Sequence, residues 1–375
     1  MILASAGALA GLSAIPSGFG QSSDNFQKSG IPLLHITDLY HPPQDPDDHL
    51  DLLTVAALDE FDLKGVILDA TQKFLDPAPA GFDIARDPGF IPVAQLGHLL
   101  GRRIPAASGP TIALKSPTDP ATDRPDREQA GIRMLIDVLR ESPEQVLVSC
   151  AGSVRVLTAA FNREPELLRS KVKAVLLNAG STGGTKREWN VGLDLSAYVG
   201  LWRSGLPIHW YPCATERSAF NIEHERGTYW KASQAELFRN LPQSLRAWIA
   251  YNFMGERSRD SIRALSEEVN ESVWEKVCSE QRNMWSTASL VMAAGRVLAH
   301  TKDQWRFLPS SSVNDLELWP WRIDAIDAKA DEEGRVDWRP TPSKSHYKLF
   351  GRKSGTAFGT AMAEALNALL RSLPL

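Results

Sequence analysis

Short apolar runs alternate with amphipathic stretches through the first half of the chain. Apolar segments at residues 31–36, 65–68, 104–109, 145–150, 172–178 and 207–211 have the length and composition of buried strands. Between them, apolar residues recur at helical spacing: Leu50, Leu53, Ala57 and Leu58 first, then residues 90–101, 128–140, 154–162 and 195–203. Asp194 is placed to cap the last of these helices. Strand and helix in alternation predict an α/β fold, with a largely parallel central sheet flanked by helices in a Rossmann-like core. The pattern then turns mainly helical over residues 214–279, with 236–254 the clearest helix. An insertion spanning 214–282 can close over a site as a lid. A further helix is expected from Trp285 to Ala299, and an amphipathic one at 356–372 turns Met362, Leu366, Leu369 and Leu370 inward.

The chemistry gathers where the first strand gives way to the first helix. Residues 37–51 read TDLYHPPQDPDDHLD, which puts Asp38, Asp45, Asp47 and Asp48 at one strand-to-helix junction. In open α/β sheets that junction is the ligand crevice. Helix capping accounts for some of these residues: Asp45 as N-cap, Pro46 as first helical residue, Asp47 and Asp48 complementing the helix dipole. Four crowded carboxylates ask for more, because they raise one another's pKa unless a proton or cation intervenes. A hard divalent ion with oxygen ligands, calcium above all, answers that need.

Composition narrows the partners. The 375 residues are 43% hydrophobic and 23% charged, as in globular domains, and the net charge of -4 offers no footprint for nucleic acid. Eleven tryptophans suit either aromatic-lined pockets or a stiff core. Residues 1–19 are apolar and small, resembling the hydrophobic part of an export signal but too short for a stable membrane span. We therefore expect residues 1–28 to be an export signal or a disordered N-terminus, residues 29–375 to form one domain, and the protein to be exported to a periplasmic or extracellular space. Cys150, Cys213 and Cys278 lack metal-ligand spacing and carry no expected role.

The acidic junction, the helix after it and the Leu63–Leu68 run together resemble the opening of the inosine/uridine-preferring nucleoside hydrolases. Members of that family begin with a strand and a D-x-D-x-x-x-D-D motif that holds one calcium and a catalytic water. Pro43 falls at the family's second aspartate, and a lengthened loop over 40–44 would let Asp45 take its place. Ile104-Pro105-Ala106-Ala107-Ser108-Gly109 is similar to the family's I-P-V phrase, and Glu188-Trp189-Asn190 with Asp194 is similar to its E-F-N-x-x-x-D. The resemblance implies calcium ligation by Asp38, Asp45, Asp48 and the backbone carbonyl of Arg155, with Asp47 as the base. It implies contacts from Gln72 to the sugar or water and from Glu188 and Asn190 to ribose hydroxyls. A carboxylate and an amide at i and i+2 of an extended loop supply the acceptors and donors that a sugar needs. One departure is large: Trp285-Ser286 stands where the family has a His-Asp pair, so one charged ligand is replaced by Ser286 unless Asp315 substitutes.

Two functions follow from this reading. One is a calcium-dependent hydrolase of N-glycosidic bonds in small-molecule ribonucleosides or related N-ribosides, where Trp285 contacts the substrate. The other is a secreted ribose- or nucleoside-binding protein that has lost turnover, for which the Trp285-Ser286 replacement speaks. Self-association into a homo-oligomer stays open.

Overall fold

A computed structural model describes residues 30–41, 46–71, 87, 89–184, 187–254 and 260–375. Six strands follow the expected order: β1 (Ile31–Thr37), β2 (Phe61–Leu68), β3 (Ala106–Ser108), β4 (Val146–Ala151), β5 (Val172–Asn178) and β6 (Ile208–Trp210). Next come a ribbon of β7 (Trp230–Ser233) with β8 (Gln281–Met284) and a small sheet of β9 (Arg296–His300), β10 (Trp305–Pro309) and β11 (Glu317–Leu318). Finally, β12 (Trp321–Ala330), β13 (Val336–Pro340) and β14 (Tyr347–Arg352) join the main sheet. That nine-stranded sheet runs β13-β12-β14-β6-β5-β4-β1-β2-β3. It is parallel from β14 to β3, and antiparallel only at the pairings of β12 with β13 and β14.

Strand periodicity sorts the core into two layers. On β1, Leu34 and Ile36 face the cluster formed with helices Asp126–Glu141, Arg155–Arg163 and Leu195–Arg203. Leu33 faces the other cluster, with helices Asp47–Ala57, Gln243–Phe253 and Ala357–Leu370. All three side chains are almost fully buried, worth about 1.5–3 kcal/mol each as apolar area taken from water. With both faces covered, β1 reads as one continuous apolar run, as parallel strands do. The ends of β1, β2, β4 and β5 thus come together at Asp38, Asp69, Ala151 and Asn178. Asp38 N donates to Ala151 O (3.0 Å) and Asp69 N to Thr37 O (2.8 Å).

The second half corrects several expectations. The helix expected at 236–254 is two helices, Gln234–Leu237 and Gln243–Phe253, broken where Asn240 adopts φ 56° and Pro242 follows. The helix from Trp285 to Ala299 is only Thr287–Ala293; Gly295, at φ 73°, ends it and β9 begins. Met362, Leu366, Leu369 and Leu370 are buried as expected.

Candidate active site at the C-terminal edge of the sheet

A cavity of about 390 Å3 opens at this edge. That size is within the range of small-molecule sites, ~300–1,000 Å3. Its lining combines the carboxylates of Asp38, Asp47, Asp48 and Glu188 with the aromatic side chains of Tyr40, Trp189, Phe220 and Trp285, of which Phe220 and Trp285 are in ring contact. Ala151, Cys213 and Ser286 also line it.

The three aspartates are placed by two backbone junctions. Asp38 follows β1, while Asp47 and Asp48 form the first turn of helix Asp47–Ala57. Pro46 occupies the cap position itself, not the first helical position, and supplies no side-chain acceptor. Asp48 Oδ1 accepts from the Thr37 hydroxyl at 2.7 Å, and Asp48 and Asp38 hydrogen-bond each other. Burial pushes the Asp38 carboxyl up to about 8, and the charges of Asp47 and Asp69 add to the rise. Asp48 is raised by the same desolvation, then by Asp38 and Asp51. A carboxyl pair in this state shares a proton until a cation replaces it. Gly152 makes the close packing possible: at φ 134°, a Cβ there would meet Asp38 Cβ at 3.2 Å.

Glu188 and Asn190 sit on a different scaffold from the extended loop expected of them. Residues Trp189–Leu193 form a short helix, and Glu188 caps it. Its carboxylate accepts from Gly180 N at 2.8 Å, Asn190 N at 3.0 Å and Val191 N at 3.3 Å. Burial raises the pKa of Glu188 and these amide bonds oppose the rise. The Asn190 amide donates to Asn178 O at 3.0 Å, which ties it to the end of β5. Both side chains still line the cavity.

Arg155, expected to serve through its backbone carbonyl, is not among the residues lining the cavity. As the first residue of helix Arg155–Arg163 it turns its guanidinium away, to Asp194 Oδ2 (2.8 Å), Pro110 O (2.7 Å) and Leu193 O (3.2 Å). Asp194 caps the next helix through Ala197 N (2.9 Å), as expected. Asp315 is exposed and not among the cavity residues. Asp45 and Gln72 lie outside the described residues, as do residues 1–28.

Trp285 and Ser286 do reach the site. The Trp285 indole donates to Ala219 O (3.0 Å) and contacts Phe220 and Tyr229, whose rings contact each other at 5.5 Å. Ser286 is 5% exposed and stands beside Asp51 of the first helix. Burial lifts the Asp51 carboxyl to about 7 and neighbouring Ser286 opposes the rise, while neither Asp51 oxygen has a hydrogen-bond partner among the described residues. Asp69, held by the Ser153 hydroxyl at 2.6 Å, is likewise lifted by burial to about 6.

Sequence reading missed Tyr40, Phe220, Asp51 and Asp69. Tyr40 lies in the loop read as lengthened, Asp51 in the first helix and Phe220 in the stretch read as mainly helical, while Asp69 follows a strand as Asp38 does, the one signal that pointed to it. Among the described residues, no three Asp, Glu, His or Cys side chains converge as a ready metal-binding group. No described helix is long and apolar enough to cross a membrane.

No protein-family model and no curated protein matches the chain. Solved structures do. A purine-preferring ribonucleoside hydrolase from Gardnerella vaginalis is 13% identical at a TM-score of 0.50, over 91% of this chain and 99% of that one. An inosine-uridine preferring nucleoside hydrolase from Bacillus anthracis is 13% identical at a TM-score of 0.48, over 92% and 99%. A plant nucleoside hydrolase is 14% identical at 0.49, again over 92% and 99%. The chain is built on the nucleoside hydrolase fold, as the resemblance of its first half implied.

Proposed function

We propose that this protein hydrolyses the N-glycosidic bond of ribonucleosides or related N-ribosides, with calcium as its cofactor. The observation that carries the reading is one cavity lined by two unlike sets of side chains. Three aspartates from the β1 junction line it together with Glu188 and Asn190, and so do four aromatic residues. Carboxylates suit a sugar and its cationic transition state, and flat rings suit a base.

The donor chemistry fits a hard cation. It is all oxygen, and the Asp38–Asp48 pair is crowded enough to retain a proton in the cation's absence. Asp38 and Asp48 would hold the ion, with Asp45 as a further ligand. Bound calcium would neutralise these carboxylates and make the attacking water more acidic.

The chain's own residues would do the rest. Asp47, at the cavity wall, accepts the proton of the water as it attacks the anomeric carbon. The bond to the leaving nitrogen breaks through an oxocarbenium-like state, which the surrounding carboxylates stabilise, and the departing nitrogen takes its proton from solvent. Glu188 and Asn190 orient the sugar by its hydroxyls. Trp285, fixed through Ala219 O, presents a ring to the leaving group. An exported location for the mature protein belongs to the same proposal.

The rival is a binding protein without turnover, favoured by Ser286 standing where a carboxylate was expected. A reducing-sugar assay over a panel of ribonucleosides, in calcium and in chelator, separates the two. Calcium-dependent release supports the hydrolase. Saturable nucleoside binding with no release in either condition supports the rival.

A further inference from the structure

The stretch from Ala219 to Tyr229 has turns but no helix or strand, yet its Phe220 lines the cavity with Trp285, and its Tyr229 contacts both rings, the three forming one aromatic wall. Something outside the stretch must hold it. The structure places Arg352 there. This last residue of β14 is fully buried, and its guanidinium donates only to backbone carbonyls. Nε reaches Gly227 O at 3.0 Å, and Nη2 reaches Ile222 O at 2.8 Å and Tyr229 O at 3.4 Å. Nη1 bonds Lys353 O at 3.2 Å, and the residue's own amide donates to Glu225 O at 2.8 Å. The guanidinium rests on the Phe358 ring, 4.1 Å from its centre.

A buried charge that is not matched by a carboxylate is expensive, so packing alone does not explain an arginine here. Burial pushes its pKa down to about 10, and no acidic neighbour opposes that shift. What arginine offers is a rigid planar fork of donors. Four contacts on one side chain and its amide gather Ile222, Glu225, Gly227 and Tyr229 onto β14. A lysine carries its three donors on a single nitrogen and cannot reproduce a fork that reaches Gly227 O from Nε, Lys353 O from Nη1 and Ile222 O from Nη2. A second fastening, Arg226 to Asp324 at 2.7 Å, ties the same stretch to β12.

We propose that Arg352 is the positioning residue of the aromatic wall, setting the protein's affinity for the leaving-group end of its ligand while leaving the sugar end untouched. This rests on the functional reading above, in which the wall receives a base. None of the Arg352 contacts named above is with a residue lining the cavity; it acts through the backbone of the stretch that carries Phe220.

The test uses the full chain and its Arg352→Lys variant. Inosine and free ribose are titrated against each, and hydrogen exchange of the amides at 219–229 is followed by mass spectrometry. In the variant, we expect inosine affinity to fall about tenfold or more, equivalent to roughly one buried hydrogen bond lost from the wall's support. Ribose affinity should stay within about twofold, because the sugar end does not depend on that support. KM for inosine should rise more than kcat falls, and exchange at 219–229 should quicken ahead of the rest of the chain. Equal loss for ribose and inosine would overturn the proposal, since a merely structural role weakens both ends alike. Unchanged exchange at 219–229 in a folded variant would overturn the positioning claim itself. A parent that binds no nucleoside overturns the functional reading and the affinity half; faster exchange in the variant would still support the positioning half. Should Arg352→Lys fail to fold, Phe358→Leu removes the ring beneath the guanidinium, together with its contact to Trp319, and the same two readings apply to it.

Discussion

Asp47 and Asp48 adjoin in sequence, but their surroundings give them different work. Asp48 accepts from the Thr37 hydroxyl and stands against Asp38, and burial raises both carboxyls. All three aspartates line the cavity, and Asp47 is the proposed base. Asp47→Asn should therefore lower ribose release by ~100- to 10,000-fold while sugar binding survives, the usual scale for losing a positioned base. Full activity in that variant would move the base elsewhere. Ser286 calls for a different argument, because Asp51 stands beside it in the core. Ser286→Asp sets a second carboxylate against a buried one. Without a cation the two repel, so the melting temperature in chelator should fall below the parent's. With calcium the added ligand should bind it, and the calcium-induced rise in melting temperature should exceed the parent's. Equal calcium-induced shifts would place Ser286 away from the ion.

At the scale of elements, the strand ends make the site, and Gly152 is where two of them come closest. Gly152→Ala strains a backbone at φ 134° and pushes a methyl against Asp38. The expected cost is about 1–3 kcal/mol, read as a lower urea midpoint with unchanged slope, together with weaker calcium binding. A variant as stable as the parent would show that the turn relaxes freely. The same junctions explain why the first half of the chain was legible from sequence. β1, β2, β4 and β5 are buried on both faces, so they read as apolar runs, and their ends carry the chemistry. The second half hid its strands. β9 follows a short helix without a break in apolar residues, and only Gly295 marks the change. β12 and β13 mix charged and apolar residues because they are the last two strands at one side of the sheet, β13 its edge, and much of their surface is not buried. Glu188 and Asn190 were found by motif, but the short helix under them was not. Five residues with one cap give no periodicity to see. Phe220 was invisible because nothing local says that distant Arg352 will hold its loop.

The whole molecule's pH response follows from opposed sets of buried groups. Asp38 near 8, Asp51 near 7 and Asp69 near 6 bind protons more tightly folded than unfolded. Their contribution is full below the unfolded carboxyl pKa and is lost as pH rises through these values. His35, lowered to about 4 by burial, and His49, lowered likewise, work the other way. Their contribution is present above the unfolded histidine pKa and is lost as pH falls through the folded one. Below about pH 6.5 the two sets oppose each other. Between about 6.5 and 8.5 only the carboxyls still titrate, so stability in chelator should fall with rising pH, by at most about 1.4 kcal/mol per unit for each group. Calcium should flatten that slope, because it replaces the proton on the Asp38–Asp48 pair. A slope that calcium leaves unchanged would mean the pair is not the cation site.

The central claim is that the Asp38–Asp47–Asp48 cluster, charged with calcium, cuts an N-ribosidic bond. The most direct measurement is ribose release from inosine by chelator-stripped protein as calcium is added back, with Asp47→Asn alongside. The account predicts no release in chelator, saturable recovery with calcium in the parent, and recovery at least ~100-fold weaker in the variant. Release that ignores calcium, or that the variant matches, would contradict it.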